Sequence, residues 1–279
     1  MTDQRLTDRL RSLQLPENAT FGVYARSLDG ERELDLRGDE VFPTASTVKV
    51  FILYTLLENA QRNRVSLSER IRYESRFATP GSGVLIHLDD GLELTIRDVA
   101  TLMMMISDNS ATNLLIDYLG LETINTAIAA IPLPHTRCGD WADFAGPDRE
   151  SQSLGSSTPR EMAQFLIAVR SGELLTQPFN TLFWDTLRIQ KYIEPLRRHL
   201  PASPWAREWN KPEPVWVASK PGHLIDCTCE SGLVHANGRE YVISIMSRNL
   251  PDADKDPGNT GENLVADVSR LVFEAWAEH

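Results

Sequence analysis

Apolar residues recur with two different periods along this chain. Near the N-terminus they repeat every three to four positions, as in a short amphipathic helix, at Leu6, Leu10 and Leu13. They then alternate with polar residues, which predicts two strands joined by an Asp29-Gly30 turn: Phe21, Val23, Ala25, Leu34 and Leu36. The chain therefore opens with a helix and a β-hairpin.

The middle of the chain, from about residue 46 to residue 170, carries almost only helical signals. Its first helix has apolar residues at i, i+3, i+4 and i+7 between Val50 and Leu57. Its last helix is bounded by a capping box of Thr158 and Glu161 and by Gly172 beyond its end. We expect this region to form an all-α lobe.

Strand signals return in the last third of the chain. Alternating runs at 215–219, 227–235 and 241–246 predict three strands, and Asn237-Gly238 is typical of a tight hairpin turn between the last two. A final helix has its apolar face between Leu264 and Ala275. These elements complete a five-stranded antiparallel sheet.

Strands at both ends of the chain, around a helical middle, predict an α+β fold of the α/β/α sandwich type. In it, the antiparallel sheet is flanked by the terminal helices and an all-α lobe is inserted. We expect 1–42 and 186–279 to form the discontinuous sheet-and-helix lobe and 43–185 the all-α lobe. The active site would then lie at the seam between the lobes.

Composition narrows the classes of partner. A formal charge of −11 and a pI near 5.1 disfavour nucleic acids and anionic membranes, because the field of the protein repels both. We expect a monomer that acts on a small molecule or a short peptide. The charged N-terminal residues and the absence of a long apolar run predict a cytoplasmic protein.

The three cysteines predict structural thiols. Cys227 and Cys229 lie two residues apart on one strand, which is poor spacing for a disulfide, and Cys138 has no evident partner. A metal site would need more ligands at closer spacing. We therefore expect neither a metal nor a cofactor.

Three short motifs carry the candidate chemistry. Ser46-Thr47-Val48-Lys49 begins a helix and places a hydroxyl and an amine three residues apart. Ser107-Asp108-Asn109 follows the helical run 94–106, and Lys220-Pro221-Gly222 follows a strand. A serine hydroxyl needs a base to become a nucleophile, and a lysine can be that base only when neutral, which burial and a nearby positive charge favour. Lys220 could supply that charge to Lys49.

These motifs, in this order, resemble those of class A β-lactamases and penicillin-binding proteins. The likeness covers most of the chain and extends to four further blocks: Phe42-Pro43-Thr44-Ala45, Gly81-Ser82-Gly83-Val84-Leu85, Ser110 to Leu115, and Thr158-Pro159-Arg160-Glu161-Met162-Ala163. It implies the serine β-lactamase and DD-peptidase fold. It also implies an acyl-enzyme mechanism in which a serine hydroxyl first takes the acyl group.

The resemblance assigns a role to each motif residue. Ser46 is the nucleophile, Lys49 its base, and Ser107 passes a proton toward the leaving group near Lys220. The backbone N–H groups of Ser46 and His223 form the oxyanion hole, and a helix start at Ser46 would add its dipole. Two further residues would contact the substrate, namely Asn109 and Gly222. Asp108 is interpreted as a scaffold for its loop, and the His223 side chain as structural.

Two parts of the chain depart from the family pattern. Matching Thr136-Arg137 and Trp141 puts Ala142 where class A enzymes have the Glu that activates water, and Gly146 where they have an Asn. An alanine cannot activate water. Nearby carboxylates could substitute, but we interpret them as solvated loop charges: Asp140, Asp143 and Glu150.

The second departure lies in the strands that would bind a substrate carboxylate. Pro221 replaces a Thr or Ser, and proline has neither a hydroxyl nor a backbone N–H. Ser231 stands where class A enzymes often have an Arg. The long segment Leu196 to Pro214, with Trp205 and Trp209, could line the cleft or could be a packed surface insertion.

Three functions therefore remain open from the sequence. We favour an acyl-serine hydrolase or acyltransferase, for example an esterase or transacylase, that acts on an amide or ester and turns over β-lactams slowly or not at all. The first alternative is a genuine class A β-lactamase with an atypical deacylation base. The second is a non-catalytic binding or sensing module that retains the pocket.

Overall fold

The computed structural model of the protein describes residues 4–144, 154–191, 195–203, 205–251 and 259–277. In chain order the α-helices of this part are α1 (Gln4–Arg11), α2 (Lys49–Gln61), α3 (Ile96–Met105), α4 (Asn109–Leu119), α5 (Leu121–Ala129), α6 (Pro159–Arg170), α7 (Phe179–Arg188) and α8 (Thr260–Trp276). The strands are β1 (Thr20–Ser27), β2 (Glu33–Leu36), β3 (Phe42–Pro43), β4 (Arg70–Arg72), β5 (Glu93–Thr95), β6 (Arg137–Cys138), β7 (Gly155–Ser157), β8 (Val215–Leu224), β9 (Cys227–Ala236) and β10 (Arg239–Arg248).

The chain divides into two compact units. The sheet unit comprises Met1–Thr47, Ser157–Ile167 and Ile193–His279, and the helical unit comprises Val48–Ser156 and Ala168–Tyr192. The lobe boundaries expected from the sequence, and a site at the seam, stay predictions.

The sheet unit contains the antiparallel five-stranded sheet in the order β2-β1-β10-β9-β8. One of its faces packs on α1 and α8 through a continuous apolar core that includes Leu10, Ile243 and Val272. The turn between β9 and β10 has both central residues, Asn237 and Gly238, at positive φ of 52° and 87°, as a type I′ hairpin requires. The predicted α+β fold and sheet are confirmed.

The helical unit is built around α2. Every residue of α2 from Lys49 to Ala60 is buried, so the helix is enclosed on all sides and not only along the predicted apolar stripe. The unit also contains two short antiparallel ladders that the sequence did not predict: β4 with β5, and β6 with β7. These strands are only two or three residues long, which is too short to show an alternating pattern.

Two local differences from the predicted elements bear on the site. The residues Ala45–Val48 form a 3₁₀ turn, and α2 begins only at Lys49, so the helix starts three residues later than predicted. The segment after residue 195 begins in the core with Leu196 and Leu200. Further along it, Trp205 and Trp209 are exposed and stack on each other with ring centroids 6.4 Å apart.

A membrane-spanning helix was not predicted, and no helix in the described ranges combines the length and apolarity that crossing a bilayer requires. A cytoplasmic location stays a prediction.

Candidate active site

The predicted nucleophile lies in the sheet unit, on the 3₁₀ turn that follows β3. Thr47 anchors this turn by donating from its backbone N–H and its hydroxyl to the Thr44 carbonyl, at 3.0 and 2.5 Å. Ala45, immediately before the serine, is buried and has a positive φ of 45°, which is costly for a residue with a Cβ. Ser46 keeps 8% of its surface exposed. The turn therefore holds the serine by a constrained backbone.

Strand β8 passes directly against this turn at Gly222. A Cβ on Gly222 would lie 2.8 Å from the Ser46 nitrogen and 2.9 Å from the Thr47 nitrogen. Only glycine allows this approach without a shift of the backbone. The Ser46 amide is thus beside β8, one residue before His223, which agrees with the predicted pairing of these two amides.

Lys220 lies on the same strand and is fully buried. Its Nζ donates to the Pro221 carbonyl at 2.8 Å. Its cross-strand neighbour on β9 is Ser231, whose hydroxyl is hydrogen-bonded to that of Ser244 at 2.8 Å. Because β8 is the outermost strand, the N–H that Pro221 lacks is tolerated there. A neutral hydroxyl therefore stands beside Lys220.

The side chain of His223 contacts structural charges. Its Nε2 lies 3.5 Å from a carboxylate oxygen of Glu262, near the start of α8. Glu262 is also paired with Arg198. This agrees with the structural interpretation of the imidazole.

Lys49 lies in the helical unit at the first position of α2, and it is fully buried. Its Nζ contacts three oxygens: the Ser107 carbonyl at 2.7 Å, the Ser107 hydroxyl at 3.1 Å and the Asn109 side-chain oxygen at 2.9 Å. An ammonium can donate to all three. A neutral amine can donate to two of them and accept a hydrogen bond from the Ser107 hydroxyl. The same geometry therefore suits both protonation states of the amine.

The loop that supplies these oxygens is itself held by its middle residue. Ser107 has a positive φ of 55°, which aims its carbonyl at Lys49. Asp108 caps α4 by accepting from the Ala111 N–H at 2.9 Å, and its other oxygen accepts from the N–H groups of Val84 and Leu85 at 2.6 and 2.9 Å. Asp108 is thus a scaffold, as predicted from the sequence.

Asn109 is already engaged on both sides of its amide. Its oxygen accepts from Lys49, and its nitrogen donates to the Pro80 carbonyl at 3.1 Å. An amide nitrogen carries two hydrogens. One N–H is therefore left to donate to a substrate carbonyl, while the oxygen is committed to the lysine.

Ala142 is buried in the helical unit and is held by a residue that the sequence reasoning missed. The side chain of Asn113 accepts from the Ala142 N–H at 2.8 Å and donates to its carbonyl at 3.0 Å. Asn113 is one helical turn after Asn109 on α4, so both amides lie on one helix face. That i, i+4 spacing was the available signal. Asp140 and Asp143 are exposed, while Gly146 and Glu150 lie outside the described residues.

Comparison with known proteins agrees with this arrangement. Residues 5–276 match the model of a family described as the β-lactamase enzyme family. The chain is 25% identical to a β-lactamase of Streptomyces fradiae, over 98% of this chain and 87% of that protein.

Solved structures give the same result. A β-lactamase from Sphaerobacter thermophilus DSM 20745 has a TM-score of 0.82 and 28% identity, covering 97% of this chain and 95% of that one. A point mutant of PBP-A, solved as an acyl-enzyme complex with penicillin G, has a TM-score of 0.83 and 27% identity, covering 99% and 97%.

Together, the sheet with its inserted helical unit and the serine and lysine motifs define a serine hydrolase. The chain belongs to the β-lactamase enzyme family, among its class A β-lactamase-like and penicillin-binding-protein-like members.

Proposed function

We propose that the protein is an acyl-serine hydrolase or acyltransferase that acts on an amide or ester, with slow or absent turnover of β-lactams. In this mechanism neutral Lys49 takes the proton of the Ser46 hydroxyl, and the serine oxygen attacks the carbonyl carbon of the substrate. The N–H groups of Ser46 and His223 bind the developing oxyanion. The leaving group departs with a proton delivered through Ser107 in the neighbourhood of Lys220.

The observation that carries this proposal is the set of three oxygens around the Lys49 amine. A fully buried lysine is costly to keep, and a solvated lysine would serve a structural role at lower cost. Here the acceptors of the three hydrogen bonds are a carbonyl, a hydroxyl and an amide, all neutral. Such surroundings let the amine lose and regain a proton, which a catalytic base must do.

Slow release of the acyl group follows from Ala142. The Asn113 amide fixes the backbone of this residue one helical turn from Asn109, so a methyl group occupies the place where a carboxylate would activate water. The acyl-enzyme that the PBP-A mutant forms with penicillin G supports covalent acylation as the shared first step. In this chain, the second step would depend on another base or another acyl acceptor.

The substrate is expected to present little negative charge to β8. Pro221 offers no hydroxyl and no N–H, and the Ser231 hydroxyl next to Lys220 is paired with Ser244. A carboxylate would therefore find fewer donors than the lysine alone suggests. A neutral small molecule or short peptide fits this better.

A genuine β-lactamase with an atypical deacylation base is the second candidate. The names of the relatives favour it, since the Streptomyces fradiae protein is a β-lactamase. The distinguishing quantity is steady turnover, because a slow enzyme gives one stoichiometric burst of lactam opening and then stops.

Intact-mass measurement tests the proposal. The protein incubated with a fluorophosphonate or with penicillin G should gain one adduct, which Ser46→Ala should lose and Ser68→Ala, a change at an exposed serine, should keep. A chromogenic cephalosporin should then show a burst without rapid steady hydrolysis. An adduct that persists in Ser46→Ala would refute the nucleophile, whereas fast steady turnover would favour the second candidate.

A further inference from the structure

Three sulfur atoms lie together beneath the turn that carries Ser46. They belong to Cys227, Cys229 and Met246, which we call the sulfur cluster. All three residues are fully buried, and they form one apolar group with Phe42 and Ala45. Ala45 is the residue immediately before the serine.

The strand register explains why the three sulfurs converge. Cys227 and Cys229 are two residues apart on β9, so both point to the same face of the sheet. Strands β9 and β10 pair with Ser231 opposite Ser244 and Glu230 opposite Ile245. One further step along this register sets Cys229 opposite Met246. The side chains therefore start from neighbouring positions on one face.

The two thiols contact each other and the turn. Cys227 and Cys229 are joined by a side-chain hydrogen bond, and this contact together with burial raises the pKa of the Cys227 thiol well above its ordinary value. The Cys229 thiol also donates to the Pro43 carbonyl at 3.3 Å. Both thiols are unoxidised. Thiolates are thus disfavoured in the empty cluster, and a ligand must supply a compensating positive charge.

We propose that the sulfur cluster is a binding site for a soft monovalent metal ion, copper(I), with the Cys227, Cys229 and Met246 sulfurs as ligands. Thiolate and thioether sulfurs select copper(I), and metal–sulfur bonds of about 2.3 Å need sulfurs about 4–4.6 Å apart. Hydrogen-bonded thiols are already near that separation.

Charge balance favours a singly charged ion in this place. One copper(I) ion displaces the proton of one thiol, and the resulting thiolate cancels the charge of the metal. The second thiol and the thioether bind as neutral donors. Copper keeps its oxidation state, so no oxidant or reductant is required. An uncharged complex is what apolar surroundings tolerate best.

Zinc fits this cluster poorly. A structural zinc site takes four nitrogen, oxygen or sulfur ligands of the Cys, His or carboxylate type. In the parts of the chain that the structure describes, no three His, Cys, Asp or Glu side chains are arranged to hold a metal. Two cysteines and a thioether are instead a set suited to softer metals.

Access to the cluster lies at the end of the sheet. Cys227 is the first residue of β9, directly after a turn that includes the exposed Ile225 and Asp226. Strand ends and turns open at lower free energy than the centre of a sheet. A metal ion can therefore reach the sulfurs by local opening of the β8–β9 hairpin.

Metal binding would act on the nucleophile turn. Cys229 is opposite Gly222, the glycine that packs against the Ser46 amide, and the Cys229 thiol holds the Pro43 carbonyl. A metal–sulfur bond would replace that hydrogen bond and push against Ala45. We therefore expect copper(I) to slow acylation of Ser46, a consequence that rests on the proposed function.

The site can be tested on the whole reduced protein under anaerobic conditions. Copper(I) is added as its acetonitrile complex against a chromophoric copper(I) chelator, and native mass spectrometry counts the bound metal. One ion should bind to wild type and to Cys138→Ser, a change at another buried cysteine. Binding should be lost in Cys227→Ser and Cys229→Ser and weakened in Met246→Leu.

Two results would overturn the site: copper retained when both Cys227 and Cys229 are replaced, or copper lost in Cys138→Ser. If the cysteine variants do not fold, X-ray absorption at the copper edge of wild type decides instead. Sulfur-only coordination supports the cluster, and nitrogen or oxygen ligands refute it. The acylation readout is separate, because a protein never acylated at Ser46 refutes the proposed function while the metal count still decides the site.

Discussion

The nucleophile and its base are held by different physical means. In the sheet unit, Ser46 is placed by backbone sterics: a left-handed Ala45 before it and a glycine strand pressed against its amide. In the helical unit, Lys49 is placed by hydrogen bonds to three neutral oxygens. The first region should therefore respond to volume and the second to hydrogen-bonding capacity, and each can be perturbed separately.

The largest effect is expected at the lysine. Lys49→Gln keeps much of the volume and one donor group but removes the base, so the rate of acylation of Ser46 should fall by about 10²–10⁴-fold. Acylation by a fluorophosphonate followed by intact mass gives the rate, with Lys211→Gln at an exposed lysine as the control. An unchanged rate in Lys49→Gln would mean that another group takes the serine proton.

A smaller loss is expected when β8 is forced away from the serine. Gly222→Ala places a methyl 2.8 Å from the Ser46 nitrogen, so the oxyanion hole should be distorted and acylation slowed by about 10²–10³-fold. Gly238→Asn is the control, because its added Cβ would meet nothing within 4 Å and asparagine accepts the positive φ of that turn. Full activity in Gly222→Ala would show that the amide of Ser46 needs no such support.

These two regions were not equally readable from the sequence. The motif Ser107-Asp108-Asn109 follows a clear helical run, so the approach of its oxygens to Lys49 agreed with expectation. The steric fit at Gly222 was not foreseen, because it depends on where an edge strand passes a turn distant in the chain. Periodicity reports which face of an element is buried, and it does not report the closeness of two backbones.

The fold itself was largely predictable, because long strands and helices carry strong periodic signals. The ladders of β4 with β5 and β6 with β7 were missed because two or three residues show no period. The late start of α2 was missed for a similar reason. A 3₁₀ turn and the first turn of an α-helix have nearly the same sequence pattern, and only the hydrogen bonds distinguish them.

The next prediction concerns release of the acyl group and not its attachment. Ala142→Glu introduces a carboxylate at a position whose backbone is fixed by Asn113, so deacylation of a penicillin adduct should become about tenfold faster or more. Decay of the intact-mass adduct measures it. Ala142→Gln has nearly the same shape without a basic group and should leave the decay slow. Equal decay in both variants would mean that position 142 does not approach the acyl group.

The smallest effect is expected where side-chain amides hold loops by their backbone. Asn113 binds both the N–H and the carbonyl of Ala142, and Asn125 binds those of Cys138 in the same way, at 2.9 and 3.0 Å. Asn113→Ala and Asn125→Ala should each lower the free energy of unfolding by about 1–3 kcal/mol, because buried backbone groups lose their partners. Urea denaturation measures this loss.

The matched pair separates stability from chemistry. In the Ala142→Glu background, Asn113→Ala should cancel the gain in deacylation, because the new carboxylate is no longer held in place, whereas Asn125→Ala should leave the gain intact. Were both replacements to cancel it equally, the gain would depend on general rigidity of the helical unit. Loss confined to Asn113→Ala would show that hydrogen bonds position the chemistry of the helical unit, as backbone contact does for Ser46.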